Sequence, residues 1–571
     1  MSAFFLKLRS NIALDGDIVL AEREIKTLFG DSFAVEKDKI AEAQNHLNLP
    51  IETFLAHSRT KNIIGFIAFN PKIKIFEITK LLSFVQEIWC EKSLLSNDIL
   101  TLPFVAENEN FACLIPFLAM SEFLTYTEES NISKDFIREI LRVIALKGKN
   151  PKTAKLILRT NTSTPHVHGL HTYKAKFFPR FVRSLIVSET ALENCRNQTI
   201  LDPFVGSGTS VIEAALLGFQ SIGIDIDKLS CLISESKINL LTNTFESVQK
   251  STIQLYSSAN GTNGKYIFPS WISRKFERHN ILEEKRNYES DINSWLAKIN
   301  HIGINKELFQ IAISDALTRK FNIRMMGTGV GRFALEIQKS AINSLVEKNL
   351  KYTLKSAKII ELLREIYRIK TIKPQILNDS AINQPLENET IDFVITSPPY
   401  LPASSGREDY LIGKSISLTA LNLMNEKDIQ NIEQKSVGSM KNLKGKRNGL
   451  PDSVYQLHDW LFKDELRNIK AQPTLIYYQD LKKSLKECFR VLKKGRKAVF
   501  IIGKETVFYS YKTREILFRV SCDEIFKQIA ISVQFEIIEI VDIELDKKNK
   551  NARPRSLDKF YESAIVLKKP F

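Results

Sequence analysis

Residues 199–230 read "TILDPFVGSGTSVIEAALLGFQSIGIDIDKLS". "TIL" is the end of a strand and "DPFVGSGT" is a loop with two glycines. "SVIEAALLG" has helical spacing and closes at Gly218, a residue suited to the position just past a helix end. "QSIGIDID" is the next strand. A strand–helix–strand rhythm with a glycine-rich first turn is a βαβ unit, and it predicts an α/β fold built on a parallel sheet.

The same rhythm returns later in the chain. "QILNDSAIN" (375–383) and "IDFVITSPPY" (391–400) each begin as a strand. "YYQDLKKSLKECFRVLKKG" (477–495) predicts a helix ending at Gly495, and "KAVFIIG" a strand. "FEIIEIVDIEL" and "ESAIVLKK" predict a terminal hairpin. Between the two blocks, 241–370 is mostly helical, as in "SDINSWLAKINHI" and "SAKIIELLREIYRI", with a glycine-rich loop "RMMGTGVGRF" (324–333) joining helices. Ahead of them, "AFFLKLR" (3–9) and "NIIGFIAFN" (62–70) read as strands. "VLAEREIKTLFG" (19–30) and "FEITKLLSFVQEIWCEKSLL" (76–95) read as helices, so the first segment is a small α+β domain. Four segments follow: 1–150, 151–240, 241–370 and 371–571.

Bulk properties narrow the class. A chain of 571 residues is too long for one ordinary core. Its formal charge of +16 favours a polyanionic partner, nucleic acid first and an anionic membrane second. The six cysteines are far apart and form no CxxC pair, which argues against a zinc ribbon or a disulfide framework and fits a reducing compartment. No stretch approaches the ~20 apolar residues of a membrane span, and the N-terminus lacks a signal sequence, so a cytoplasmic protein is expected.

The loop and its flanking acids suggest a ligand. Gly206 and Gly208 let the chain turn sharply and bring backbone N–H groups close to a bound molecule. No lysine follows the second glycine, so this is not the phosphate loop of nucleotide hydrolases. Asp202 at the strand end suits an ammonium, and Asp225 at the end of the next strand can accept both hydroxyls of a ribose. An amino acid at one end and a ribose at the other describe S-adenosylmethionine.

"TSPPY" lies at the carboxyl end of its strand, facing the same crevice. Pro398 and Pro399 fix the turn. A rigid turn can aim backbone carbonyls and the Ser397 hydroxyl at the two hydrogens of a base's exocyclic amine, drawing the nitrogen toward tetrahedral geometry and freeing its lone pair. Tyr400 offers a face on which an extruded base stacks.

In this order the motifs resemble the S-adenosylmethionine-dependent amino-methyltransferases of DNA. "ITSPPY" is similar to the cytosine-N4 signature, and "DPFVGSGT" to the family's cofactor loop, here Asp202, Pro203, Phe204, Gly206, Gly208 and Thr209. "HTYKAKFFPRFVRSLI" (171–186) resembles the preceding cofactor motif, which implies that Phe177 and Pro179 pack around the methionine end. Asp379 is similar to the acid that receives the adenine amino group. "LKECFRVLKKGRKAVFIIG" (485–503) resembles the late helix and strand, with Arg496 in place of a glycine often found there. The likeness covers about 155–240 and 370–571. It implies a Rossmann-like seven-stranded methyltransferase sheet with a helical insertion at 241–370, which in this family carries target recognition or forms a helical cap. It also implies a DNA methyltransferase acting on cytosine N4, with adenine N6 next.

"FFLKLRSNIALDGDIVLAEREIKTLFG" (4–30) resembles the N-terminal region of tRNA guanosine-N2 methyltransferases that use THUMP-type RNA-binding domains. The alternative partner is therefore tRNA, and the first domain becomes a candidate nucleic-acid binder. Those enzymes usually carry Asp or Asn before Pro-Pro-Tyr, whereas Ser397 stands here. His166, His168 and His171 cluster locally, but no neighbouring carboxylate or cysteine completes a metal site, and no metal is expected. The basic stretches 435–449 and 547–555 are candidate contacts to a nucleic-acid backbone.

Overall fold

The structure is a computed structural model. It describes the chain except residues 1, 10–11, 13–14, 48, 50, 55–61, 130, 146–163, 174–176, 191, 193–194, 259–265, 326–332, 402–410, 440–444, 446, 511 and 546–559. The segments 327–332 and 547–555, and part of 435–449, lie outside the described residues.

The expected seven-stranded sheet is present. Its strands are β7 (Thr199–Asp202), β8 (Gln220–Ile224), β11 (Gln375–Leu377), β12 (Ile391–Thr396), β13 (Leu492–Gly503), β16 (Glu536–Leu545) and β17 (Phe560–Lys568). They lie in the order β11-β8-β7-β12-β13-β17-β16. The first five run parallel, and β17 is antiparallel to both β13 and β16. All six residues of β12 are buried, which is why "IDFVIT" is almost continuously apolar: helices cover both faces of a parallel strand. The chain leaves β7 toward one edge and β12 toward the other, so the sheet has its switch point between these two strands.

The helix Thr209–Leu216 returns from β7 and ends as the sequence predicts. Gly218 has φ +89°. Phe219 N–H reaches Ala214 O at 2.9 Å and Gly218 N–H reaches Ala215 O at 3.1 Å, a Schellman closure.

The first segment forms a six-stranded sheet in the order β2-β3-β1-β4-β6-β5. Its strands are β1 (Ala3–Leu8), β2 (Phe29–Glu36), β3 (Ile63–Pro71), β4 (Val85–Glu91), β5 (Val105–Glu107) and β6 (Phe111–Leu114). Residues 76–95 do not form the single helix expected of them. Helix Ile75–Leu81 stops early and β4 follows, because Val85–Glu91 lies between β1 and β6 with six of its seven residues buried. Near the C-terminus the helix Ala471–Val491 also stops before Gly495, and β13 begins at Leu492. Gly495 has φ +72° and its N–H bonds Lys569 O at 2.8 Å, so it belongs to β13 and not to a helix end.

The two sheets share one apolar core. Helix Asp15–Leu28 lies against helix Pro179–Glu189 and crosses β16 so closely that a Cβ on Gly16 would stand 2.7 Å from Glu544 N. The stretch 241–370 supplies helices Phe245–Ser257, Ser270–Arg278, Leu282–Asn300, Lys306–Lys320 and Ile342–Ile366, around a core of their own. It also holds an antiparallel pair, β9 (Phe321–Met325) and β10 (Phe333–Ile337), on either side of the glycine-rich loop that was expected to join helices. Just past the last helix, Tyr367 stacks on Phe104 at 4.3 Å and donates to Ile115 O, plugging the insertion into the N-terminal unit. Among the described residues no helix is long and apolar enough to cross a membrane.

Candidate active site

The glycine loop leaves β7 at the carboxyl edge of the sheet. Gly206 (φ +51°) and Gly208 (φ +82°) occupy the left-handed region, and a Cβ at 208 would meet Ser234 Oγ at 2.9 Å. The loop's carbonyls are held by the next helix, Lys228–Thr242. Ser234 Oγ donates to Gly206 O (3.1 Å) and the buried Lys237 donates to Ser207 O (2.7 Å). Gly206 N–H instead points to Asp225 Oδ2 at 2.9 Å.

Asp225, at the end of β8, also accepts Asp227 N–H at 2.9 Å. Each oxygen therefore has one backbone donor and keeps lone-pair capacity for hydroxyls such as those of a ribose. Burial and the adjacent Asp227 push the Asp225 carboxyl above its usual range, and Lys414 opposes them. Asp227 caps the helix Lys228–Thr242 through Leu229 N–H (2.9 Å) and accepts from Ser230 Oγ (2.7 Å) and Lys414 Nζ (2.5 Å). Burial acts upward on Asp227, but the Lys414 ammonium and these donors hold it below the usual carboxylate range. Lys414 Nζ also lies 4.5 Å from the centre of the Tyr173 ring.

Asp202 connects this half to the second motif. Its Oδ1 accepts Phe204 N–H at 3.0 Å and the Thr396 hydroxyl, from the end of β12, at 2.6 Å. Burial raises its pKa, while Ser210, Thr396 and the Phe204 amide favour the charged form. The turn Ser397–Tyr400 follows immediately. Tyr477 donates to Pro399 O at 2.9 Å, and the Tyr400 hydroxyl donates to Glu562 on β17. Burial, then the Glu562 charge, hold the Tyr400 phenol well above its ordinary pKa, so it stays neutral at physiological pH.

These parts line one cleft over the switch point. Phe177, Asp202, Pro203, Phe204, Gly206, Thr209, Asp225 and the whole turn Ser397–Tyr400 face it. Gly208 lies beneath the loop against Ser234. Pro179 is buried in the first turn of the helix Pro179–Glu189. The Asp379 side chain is exposed and accepts Ser380 N–H at 2.7 Å, while its neighbours Ser380 and Ala381 line the cleft. Sequence reasoning missed Tyr173, Asp227, Ser230 and Lys414, all of which face the same space. Asp227 had a local signal, an acid directly before a helix; Lys414 had none.

The lining fits S-adenosylmethionine chemically. A carboxylate with open lone pairs stands at the β8 end, an aromatic wall at Phe177, and a backbone turn at Gly206 that leaves no side chain in the way. The histidine cluster is different from its sequence reading, because a distant carboxylate does reach it. His168 Nε2 shares a hydrogen bond with Glu213 Oε1 (2.7 Å), and His166 stands beside them. Arg183 Nε takes the other Glu213 oxygen at 2.7 Å, so the carboxylate already has its cation. His171 turns instead to Ser314, at 2.9 Å.

Comparison with known proteins agrees with this geometry. The DNA methylase family model of N6 and N4 methyltransferases matches residues 18–236. The chain is 27% identical to the type II methyltransferase M.BsoBI of Geobacillus stearothermophilus over 331 residues, 53% of this chain and 62% of that protein. It is 25% identical to M.MvaI of Kocuria varians over 374 residues, 61% of this chain and 79% of that one. An 82-residue stretch is 40% identical to M.MjaII of Methanocaldococcus jannaschii, covering 14% of this chain and 15% of the relative. The match thus spans less than two thirds of M.BsoBI and a short part of M.MjaII. By sheet order, by the paired glycine-loop and Ser-Pro-Pro-Tyr motifs and by these matches, the chain resembles the S-adenosylmethionine-dependent amino-methyltransferases of DNA.

Proposed function

We propose that the chain is a site-specific DNA methyltransferase that modifies an exocyclic base amine, cytosine N4 in the first place and adenine N6 next. The observation that carries this reading is the placement of the Ser397–Tyr400 turn in the same cleft as the glycine loop and Asp225. S-adenosylmethionine, when bound, supplies an electrophilic methyl group on a sulfonium. Asp225 holds the ribose hydroxyls, Phe177 packs the methionine end, and Asp379 is the proposed partner of the adenine amine.

The chain's part in the chemistry is to bind and orient. Ser397 and the turn's carbonyls accept the amine's hydrogens and localise the nitrogen lone pair toward the methyl carbon. The Tyr400 ring holds the extruded base by its face. The nitrogen becomes more acidic once alkylated, so its proton leaves afterwards to solvent and no strong base is required beforehand. Ser397, where the tRNA enzymes usually carry an acid or amide, favours DNA, and the likeness of the turn to the cytosine-N4 signature puts cytosine before adenine. The helical insertion at 241–370 is the proposed reader of the target sequence, with the N-terminal unit adding nucleic-acid contacts.

The test is single-molecule sequencing of genomic DNA from cells expressing the chain or its Ser397→Ala form. A sequence motif carrying N4-methylcytosine, lost in the variant, is the expected result. N6-methyladenine at the motif would correct the base. A blank DNA map with new methyl groups in the tRNA pool would overturn the proposal.

A further inference from the structure

We propose that the hairpin formed by β14 (Glu505–Tyr509) and β15 (Ile516–Ser521) is a ribbon that enters the major groove of the duplex beside the target base. The inference rests on the DNA reading above and adds the surface that grips the partner.

The hairpin belongs to neither large sheet. It grows from the carboxyl end of β13, the edge that carries the catalytic turn. Gly503, the last residue of β13, pairs with Glu562, the residue that accepts the Tyr400 hydroxyl. The hairpin root is therefore two residues along the chain from the strand partner of the group that holds the base-stacking ring. An isolated two-stranded hairpin is marginally stable in water, so this one needs support. It has that support on one face. Phe508 and Phe518, directly paired across the ladder, lie 5.1 and 4.9 Å from the Trp460 ring, and Arg467 donates to Tyr509 O at 2.7 Å.

Strand alternation sends Val507, Tyr509, Leu517 and Arg519 to the opposite face. Leu517 is 47% exposed and gives this face an apolar spot beside the turn. Arg519 is paired with Glu505 at 3.1 Å. The cations that reach outward are Lys512 and Arg514 near the turn, the latter with its guanidinium 5.4 Å from the Tyr509 ring centre. A five-residue strand projects about 17 Å, and the major groove of B-DNA, ~12 Å wide, admits a two-stranded ribbon. In that position Lys512 and Arg514 meet phosphates, while Leu517 and Tyr509 present apolar surface to base edges and sugars.

The experiment uses the full chain, a fluorescein-labelled mixed-sequence DNA duplex and an RNA duplex of the same sequence, with anisotropy titrations at stepped salt. The double variant Lys512→Ala/Arg514→Ala is expected to bind the DNA about tenfold more weakly. Its log Kd against log salt should flatten by about 1.8, the share of two released counterions. Cofactor affinity by calorimetry and the thermal midpoint should match the wild type, which separates the loss from misfolding. Leu517→Asp should weaken DNA binding by repelling the phosphates. An unchanged DNA affinity and salt slope in the double variant would overturn the proposal. So would equal binding of the RNA duplex that is equally lost in the variant, because the A-form major groove is too narrow for the ribbon. A wild-type chain that binds neither duplex would overturn the DNA reading itself.

Discussion

Replacing Lys414 by methionine tests the electrostatics of the cofactor half. The Lys414 Nζ stands 2.5 Å from Asp227 Oδ2, and the two side chains are 23% and 6% exposed. Methionine keeps most of the stem's volume and removes the charge, leaving Asp225 and Asp227 side by side without their cation. Removing one partner of a buried pair costs ~3–5 kcal/mol, and the partial exposure of Lys414 brings the expected loss to about 2–4 kcal/mol at neutral pH. The Lys414 ammonium lowers both carboxyls, so both acids should rise in the variant. The sign then changes for Asp227. In the wild type its pKa is depressed, so it contributes stability above its unfolded value, and that stability is lost as pH falls through the folded pKa. In the variant its pKa is raised, so folding is penalised at neutral pH and the penalty is relieved on acidification. Urea unfolding of both proteins across acidic to weakly basic pH measures this directly, and calorimetric titration of S-adenosylmethionine over the same range reports on Asp225. The variant's affinity should begin to fall at a higher pH than the wild type's. A variant within about 0.5 kcal/mol of wild type at neutral pH, with the same pH slope, would refute the role given to Lys414.

Three further outcomes are expected. Thr396→Val removes the hydroxyl bonded to the buried Asp202 carboxylate at 2.6 Å and should cost about 2 kcal/mol in urea unfolding, with weaker cofactor binding. Glu24 is buried, accepts Ser83 N–H at 2.7 Å, and is pushed by burial from 4.5 up to about 7. Wild-type stability should therefore fall as pH rises through that window, and Glu24→Gln should flatten the curve there and gain on the order of 2 kcal/mol above it. Tyr400→Phe keeps the ring but loses the bond to Glu562, so kcat should drop by less than about tenfold. Tyr400→Ala should lose far more, and neither change should move cofactor affinity in a calorimeter.

The parts of this protein that its sequence makes plain are those whose signals are local. The βαβ unit at 199–224 is legible because a glycine must follow the helix at 218 and a turn must follow β7 at 206–208; backbone geometry demands those residues within a few positions of one another. The stretch "VQEIWCE" is not legible in that way. Gln86 and Glu87 look like the polar face of a helix, yet both are fully buried. Glu87 accepts the Trp89 indole N–H at 2.9 Å and faces Lys7 of β1 at 3.8 Å, so its charge is met inside a central strand by a cation that a window of neighbouring residues does not contain. The site divides along the same line. Much of the cleft's lining falls in two short motifs, 202–209 and 397–400. The groups that hold those motifs in place come from far along the chain: Lys414 lies 187 residues from Asp227, Glu562 lies 162 from Tyr400, and Tyr477 lies 78 from Pro399. A lysine, a glutamate and a tyrosine on otherwise ordinary helices and strands carry no mark of this work. Their roles exist only once the sheet order has brought the carboxyl ends of β7, β8, β12, β13 and their antiparallel partner β17 to one edge. That ordering also explains why the Tyr400 ring can be rigid although it sits on a turn. Its hydroxyl is anchored to the strand paired with β13, and β13 is itself in register with β12, so the ring inherits the stiffness of three strands.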